Sequence, residues 1–184
     1  MYGNVEVWSF VAAPGEVEHK TELHRLTFGE LDGSLSDRVL AFREAGQKAG
    51  FDAVASEDIE LELWTKFALL GGYSPVSTLS RQTVGAVEAD RDLWDLCRRS
   101  VGEVVAVGRA KGIAFPPDIV EATLALNAQF DPNAKNSLLL DLEAGRRLEH
   151  EWISGEIVRL GREFGVPTPA NQTVFDALES LQAL

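Results

Sequence analysis

The sequence predicts a mainly α-helical protein with a small antiparallel β portion at its N-terminal end. Three observations carry that expectation. Period-two alternation is confined to roughly the first 34 residues. From Ser36 onward, apolar residues recur at helical spacing. Prolines that open helices and glycines that close them punctuate this second part, at Gly50, Gly112, Pro116-Pro117 and Pro169.

The elements follow in order. Asn4-Val-Glu-Val-Trp-Ser-Phe10 alternates, with Val5 and Val7 on one face and Glu6, Trp8 and Phe10 on the other. Pro14-Gly15 marks a turn. Glu16 to Lys20 and His24 to Phe28 alternate as well, and Gly29 to Gly33 make a second turn. Ser36 is placed to cap a helix carrying Val39, Leu40 and Phe42, which ends at Gly50. Phe51 to Ala55 reads as a short strand. From Asp58 a broad apolar stripe (Ile59, Leu63, Trp64, Phe67, Ala68, Leu70) predicts a helix that Gly71-Gly72 and Pro75 must kink or end. Asp90 to Lys111 is a long helix closed by Gly112, and another runs from Pro116-Pro117 to about Phe130. Ser137 to Gly165 reads as largely helical. Thr168 caps the last helix, with Pro169 at its first position.

A chain of 184 residues that is 45% hydrophobic and 25% charged can bury a core of its own. No stretch reaches the roughly 20 apolar residues that cross a bilayer. A signal peptide's basic region and apolar run are not found at the start. Cys97 is the single cysteine, on a helical face with Leu93, Leu96, Val101 and Val104, where it reads as a small buried hydrophobe. These features predict a cytoplasmic protein with no membrane partner. The net charge of −12 repels nucleic acid, so no nucleic-acid partner is expected, and an anionic ligand needs a local cationic site. His19, His24 and His150 have no metal-ligand spacing, and no metal is expected.

The last fifty residues carry the most specific pattern. They read Ser137-Leu-Leu-Leu-Asp141, then Gly145-Arg146-Arg-Leu-Glu149-His-Glu-Trp-Ile-Ser-Gly155, then Gly165-Val-Pro167-Thr-Pro169. Upstream stand Ala13-Pro14-Gly15, Phe28-Gly29-Glu30, Ala49-Gly50-Phe51, Ser56-Glu-Asp-Ile59 and Leu63-Trp64-Thr65-Lys66-Phe67. In this order the motifs resemble the ketopantoate reductases (2-dehydropantoate 2-reductases). The resemblance implies a helical C-terminal domain of the 6-phosphogluconate-dehydrogenase-like type, residues 58–184, serving substrate binding and dimerisation. It makes residues 1–57 a remnant of a Rossmann-type nucleotide-binding domain. The implied activity is NADPH-dependent reduction of a 2-oxo acid in pantothenate biosynthesis. The implied partners are the small-molecule 2-oxo acid, a second copy of the chain in a homo-oligomer, and a separate nucleotide-binding domain. The implied site residues are Lys66 as catalytic lysine, Glu149 as catalytic and cofactor-contacting glutamate, and Ser137 as substrate-binding serine.

The chain also departs from the pattern. Leu70 stands where the family usually has an asparagine one turn after the lysine, Ser74-Pro75 replaces Asn-Pro, and Val84 falls at or near a second asparagine. No G-x-G-x-x-G occurs, so these residues build no dinucleotide phosphate cradle, and the chain alone is expected to be inactive.

The chemistry can be argued from the residues too. Reducing a 2-oxo acid puts negative charge on a carbonyl oxygen, which an ammonium stabilises and protonates. Lys66 stands among Trp64, Phe67 and Ala68, where desolvation favours its neutral form. The residues alone equally allow Lys66 to snorkel from a helix edge, Glu149 to sit on a salt-bridged helical face with Glu151, Glu156 and the neighbouring arginines, and Ser137 to be a helix cap. Two alternatives to ketopantoate reduction therefore stand: a paralogous reductase acting on another carbonyl, and a non-catalytic helical dimerisation or binding module.

Overall fold

The computed structural model describes residues 1–182, with the backbone alone described at positions 8, 10 and 20–23. The faces expected for the Trp8 and Phe10 side chains thus lie outside the described residues. The chain forms two compact units, Met1–Leu63 and Trp64–Leu184.

In the first unit, β1 (Tyr2–Ala13) turns at Pro14-Gly15 into β2 (Glu16–Gly29). Gly15 has φ +81°, a left-handed conformation that glycine adopts without strain. The two short strands expected over 16–20 and 24–28 are one strand. Its antiparallel register against β1 shifts between Val7 and Ser9. The chain then crosses through α1 (Asp37–Lys48) into β3 (Asp52–Ala55), which pairs with β2 in parallel. The sheet, in order β1-β2-β3, is therefore mixed; the expected antiparallel pairing holds for β1 and β2. A helical crossover returns the chain in the same direction, so β3 can only be parallel to β2.

Ser36 caps α1 as its sequence position suggests, its Oγ accepting from the Val39 N–H at 3.4 Å. The same hydroxyl donates to Glu30 Oε1 at 2.7 Å, and Arg38 donates to both Glu30 oxygens at 2.6 Å. The Arg38 guanidinium, followed by the Ser36 hydroxyl, holds the Glu30 carboxyl well below the usual carboxylate range. Phe28, Val39 and Ala53 form the core beneath, with Leu26, Phe51 and Ala55 packed against it.

The second unit is helical. It holds most of α2 (Ile59–Ser80), then α3 (Val84–Ala89), α4 (Arg91–Lys111), α5 (Ile119–Asn127) and α6 (Ser137–Glu143). A 3-10 turn (His150–Trp152), α7 (Ser154–Phe164) and α8 (Pro169–Gln182) complete it. α4 is the central element. Asp90 caps it through the N–H groups of Asp92 and Leu93, and Gly112 closes it at φ 107°. Cys97, Val101, Val104, Val105 and Val107 are buried along its inner face. Each buried valine contributes on the order of 1.5–3 kcal/mol.

Of the kink or end expected at Gly71-Gly72 and Pro75, the end does not occur, and α2 runs through all three. The glycines are used for close approach instead: a Cβ on Gly72 would lie 2.7 Å from the N and Cα of Val101 on α4. The segment from Ser137 to Gly165 is largely helical as expected, with a break after Glu143, where Gly145 adopts φ +65°. At α8, Thr168 accepts from the Gln172 N–H through its carbonyl. The N–H groups of Ala170 and Asn171, in the first turn, are taken by the Glu103 carboxylate of α4, at 2.8 and 2.9 Å. No helix among the described residues is long and apolar enough to cross a membrane.

Candidate functional site

α2 begins where Asp58 Oδ1 accepts from the Leu61 N–H at 3.0 Å, and Lys66 follows about one further turn in. Lys66 is half-buried. Trp64 and Phe67 meet edge to face beside it, centroids 5.6 Å apart. Trp64 also fills the space over Gly108 of α4, where a Cβ would be 2.9 Å from its ring. Leu70, one turn after Lys66 on the same helical face, is 42% exposed. Ser74 and Val84, the other two positions where an amide was expected, are buried in the packing.

Ser137 is the first residue of α6, and the cap is its neighbour Asn136. Asn136 Oδ1 accepts from the Leu139 N–H at 3.0 Å, and its Nδ2 donates to Ser77 Oγ at 3.0 Å. Thr78 Oγ1 donates to Asn136 Oδ1 at 3.3 Å. Asn136 thereby fastens the start of α6 to the last turns of α2. The capping role considered for Ser137 passes to Asn136, leaving the Ser137 hydroxyl exposed and without a hydrogen-bond partner among the described residues.

Glu149 is not on a helical face. It precedes the 3-10 turn, its carbonyl accepting from the Trp152 N–H at 3.0 Å. Both flanking residues are buried, and both are held by α8. The Leu148 N–H donates to Gln182 Oε1 at 3.1 Å, and His150 Nε2 lies 3.0 Å from Glu179 Oε1. Glu149 itself is exposed. The arginines near it are engaged elsewhere: Arg146 with Asp141, Arg147 with Glu151, and Arg159 with Glu156 and Glu163. Arg159 also holds the Glu156 carboxyl below its ordinary value. The Arg146–Glu149 pairing that helical spacing would allow does not form, and the Glu149 carboxylate has no ion-pair partner among the described residues.

α2 meets two of the later helices. Asn136 joins it at Ser74, Ser77 and Thr78. α7 reaches it at Gly71, where a Cβ would be 2.9 Å from Ile157 Cδ1. Asn136, beside Ser137, is thus tied to the helix that carries Lys66, whereas the Glu149 turn is held by α8 and leads into α7, which touches α2 at Gly71. A cleft of about 190 Å³ lies beside Glu149, lined by Arg147, Leu148, His150, Glu151, Glu179 and Gln182. A larger one of about 520 Å³, between α4 and the start of α8, is lined by none of the three predicted site residues. The sequence reading missed the supporting residues. Asn136 could have been found from its place before a helical stripe, whereas nothing local marks His150, Glu179 or Gln182 as partners.

A half-buried lysine, an exposed hydroxyl and an exposed carboxylate without an ion-pair partner among the described residues are groups that suit a small polar ligand. The chain is similar to several known proteins. A 2-dehydropantoate 2-reductase of Mesorhizobium japonicum is 33% identical over 172 residues, covering 93% of this chain and 52% of that protein. The crystal structure of 2-dehydropantoate 2-reductase from Methylococcus capsulatus superposes with a TM-score of 0.88 at 32% identity, over 98% of this chain and 57% of that one. The ternary structure of D-mandelate dehydrogenase with NADH and anilino(oxo)acetate shares the fold, with a TM-score of 0.87 at 17% identity, over 98% of this chain and 59% of that one. The chain spans about half the length of the curated relatives it matches. Residues 58–182, more than half of the sequence, match the family model described as ketopantoate reductase PanE/ApbA, C terminal, and the chain belongs to the ketopantoate reductase family.

Proposed function

We propose that this chain is the substrate-side part of an NADPH-dependent 2-oxo acid reductase, with residues 1–57 belonging to a nucleotide-binding domain and 58–184 to the helical domain. The observation that carries the proposal is the tie of Asn136, beside Ser137, to the Lys66 helix, together with a Ser137 hydroxyl and a Glu149 carboxylate left unpartnered among the described residues. NADPH, when bound, supplies a hydride. In this reading the Lys66 ammonium hydrogen-bonds the substrate carbonyl oxygen, stabilises the charge that grows there, and gives it a proton, so that the carbonyl becomes an alcohol. Ser137 hydrogen-bonds the substrate. Glu149 accepts hydrogen bonds from hydroxyl groups of the cofactor ribose and orients the cofactor against the substrate. The enzyme works in the cytoplasm as a homo-oligomer.

One observation favours a substrate other than ketopantoate. Each proposed site residue has a large exposed apolar companion at helical or 3-10 spacing: Leu70 after Lys66, Leu140 after Ser137 and Trp152 after Glu149, at 42%, 45% and 69% exposure. Such companions suit a 2-oxo acid whose side chain is apolar. With Leu70 and Val84 where the family usually has asparagines, a substrate hydroxyl lacks those partners, at a cost of about 1–3 kcal/mol.

The test is reduction of a panel of 2-oxo acids, with branched, aromatic and hydroxylated side chains, in the presence of a nucleotide-binding domain. Lys66→Ala is expected to lower kcat by about 10²–10³-fold, the usual effect of losing a contact to developing charge. Ser137→Ala is expected to act mainly through KM. Near-normal turnover of Lys66→Ala on the best substrate would make the lysine a snorkelling helix-edge charge instead.

A further inference from the structure

We infer that the C-terminal turns of α8 act as a clamp that positions Glu149, with His150, Glu179 and Gln182 as positioning residues. The inference rests on the proposed role of Glu149 and adds how that carboxylate is aimed.

The local pattern around Glu149 has a period of two. Leu148 and His150 point inward, at 4% and 3% exposure, and Glu149 between them points out. A helix cannot do this, since its neighbours i and i+2 lie on different faces. The two inward residues are held by one face of α8. Phe175, Leu178, Glu179 and Gln182 recur at three- and four-residue spacing along it. Phe175 lies against the His150 ring, centroids 5.5 Å apart, and against Gly155, where a Cβ would come 2.9 Å from the Phe175 ring. Gly155 is thus the one residue that lets the start of α7 approach so closely. Glu179 takes His150 Nε2 at 3.0 Å, and Gln182 takes the Leu148 N–H at 3.1 Å.

The chemistry of the His150 contact fixes its geometry. A carboxylate only accepts, so Nε2 carries the hydrogen and donates it to Glu179. His150 Nδ1 is buried with no hydrogen-bond partner, which suits a bare lone pair far better than an N–H. The imidazole therefore has one tautomer and one orientation. With the Glu149 carbonyl also engaged by the Trp152 N–H, the backbone on both sides of Glu149 is tied down. Only its side-chain torsions remain free, which is the condition for presenting a carboxylate at a set place. Glu149 is the carboxylate of this segment that no arginine claims, so the clamp can serve a ligand without competing with an ion pair.

The proposal is tested on the chain itself by amide hydrogen exchange and by the nitrogen resonances of the His150 ring. Glu179→Ala and Gln182→Ala should speed exchange at Leu148, Trp152 and Ile153 by about tenfold or more, as loss of a hydrogen bond to a carboxylate or amide implies. Exchange at Val104 and Val105 in α4 should not change. Glu179→Gln, which keeps an acceptor oxygen, should behave like the wild type and retain the single His150 tautomer, whereas Glu179→Ala should lose it. In the reduction assay, Glu179→Ala should lower kcat about tenfold and Glu179→Gln should restore it. Unchanged exchange over 148–153 in Glu179→Ala, or an increase spread equally over α4, overturns the clamp. Faster local exchange with an unaltered kcat, in a system where Glu149→Gln does lower kcat, overturns the positioning role. If Glu149→Gln itself leaves kcat untouched, the role of Glu149 falls and the positioning role with it, a result that the exchange data tell apart from failure of the clamp.

Discussion

Tyr73 on α2 and Cys97 on α4 are both buried, at 3% and 0% exposure, and burial pushes the tyrosine hydroxyl and the cysteine thiol each up to about 12. Both groups are neutral when protonated. The folded state keeps these protons at a pH where the unfolded chain, titrating near 9.0 for the thiol and 10.0 for the phenol, gives them up. Stability is therefore unaffected by them below about pH 9 and falls as pH rises toward 12. Urea midpoints measured from pH 7 to 11 should be flat and then drop, and the drop should be shallower in Cys97→Ala. A thiol reagent at pH 8 should modify Cys97 slowly in the native protein and quickly in urea. The burial of Cys97 was legible from its helical face, because core positions repeat at a spacing the sequence displays. The setting of Glu149 was not legible. Whether a carboxylate among arginines is free depends on which partner each arginine takes, and Arg146 turns back to Asp141 only because the chain breaks at Gly145.

Elements show the same division. The caps at Ser36, Asp90 and Gly112 and the turn at Pro14-Gly15 were legible because each is decided by a few adjacent residues. The continuation of α2 through Gly71-Gly72 was not legible, because local rules treat glycine as a breaker while packing uses it as a gap. The difference can be measured. Gly72→Ala drives a methyl group into the backbone of Val101, which cannot give way, and should destabilise by at least about 1–3 kcal/mol. Gly71→Ala meets the flexible end of Ile157 and should cost less. Gly102→Ala, in the middle of α4 with nothing within 4 Å of the added carbon, should stabilise by up to about 1 kcal/mol, because alanine is the better helix former. Urea denaturation of the three variants orders them. If Gly72→Ala were as stable as Gly102→Ala, the close α2–α4 approach would be wrong. The parallel pairing of β3 follows from the α1 crossover before it, since a four-residue strand by itself carries no sign of its direction.

At the scale of the whole molecule, charge and surface point to different expectations. The net charge of −12 gives no long-range attraction for a phosphorylated cofactor, and the sequence holds no glycine-rich cradle for one. Calorimetric titration of these 184 residues with NADPH should show no binding at micromolar affinity or tighter. A dissociation constant of a few micromolar would mean that the ribose contacts proposed for Glu149 hold the cofactor unaided. The ribbon of β1 and β2 predicts something else. Val5, Val7, Val11 and Val17 are 48%, 43%, 71% and 66% exposed on it. β1 pairs with β2 alone in the described sheet, so its other edge offers a row of backbone donors and acceptors. An edge strand that is long and rich in exposed valine tends to be covered by another chain, because burial of its apolar surface and pairing of its edge both favour contact. Like charges oppose that contact at low salt and are screened over roughly 8 Å at 0.15 M. Light scattering should therefore report a dimer or larger assembly at physiological ionic strength, shifting toward monomer as salt is withdrawn. Val5→Lys with Val7→Lys should favour the monomer without altering the helical circular dichroism. A wild-type protein that stays monomeric at high concentration and 0.15 M salt would show that the ribbon tolerates its exposed valines in water.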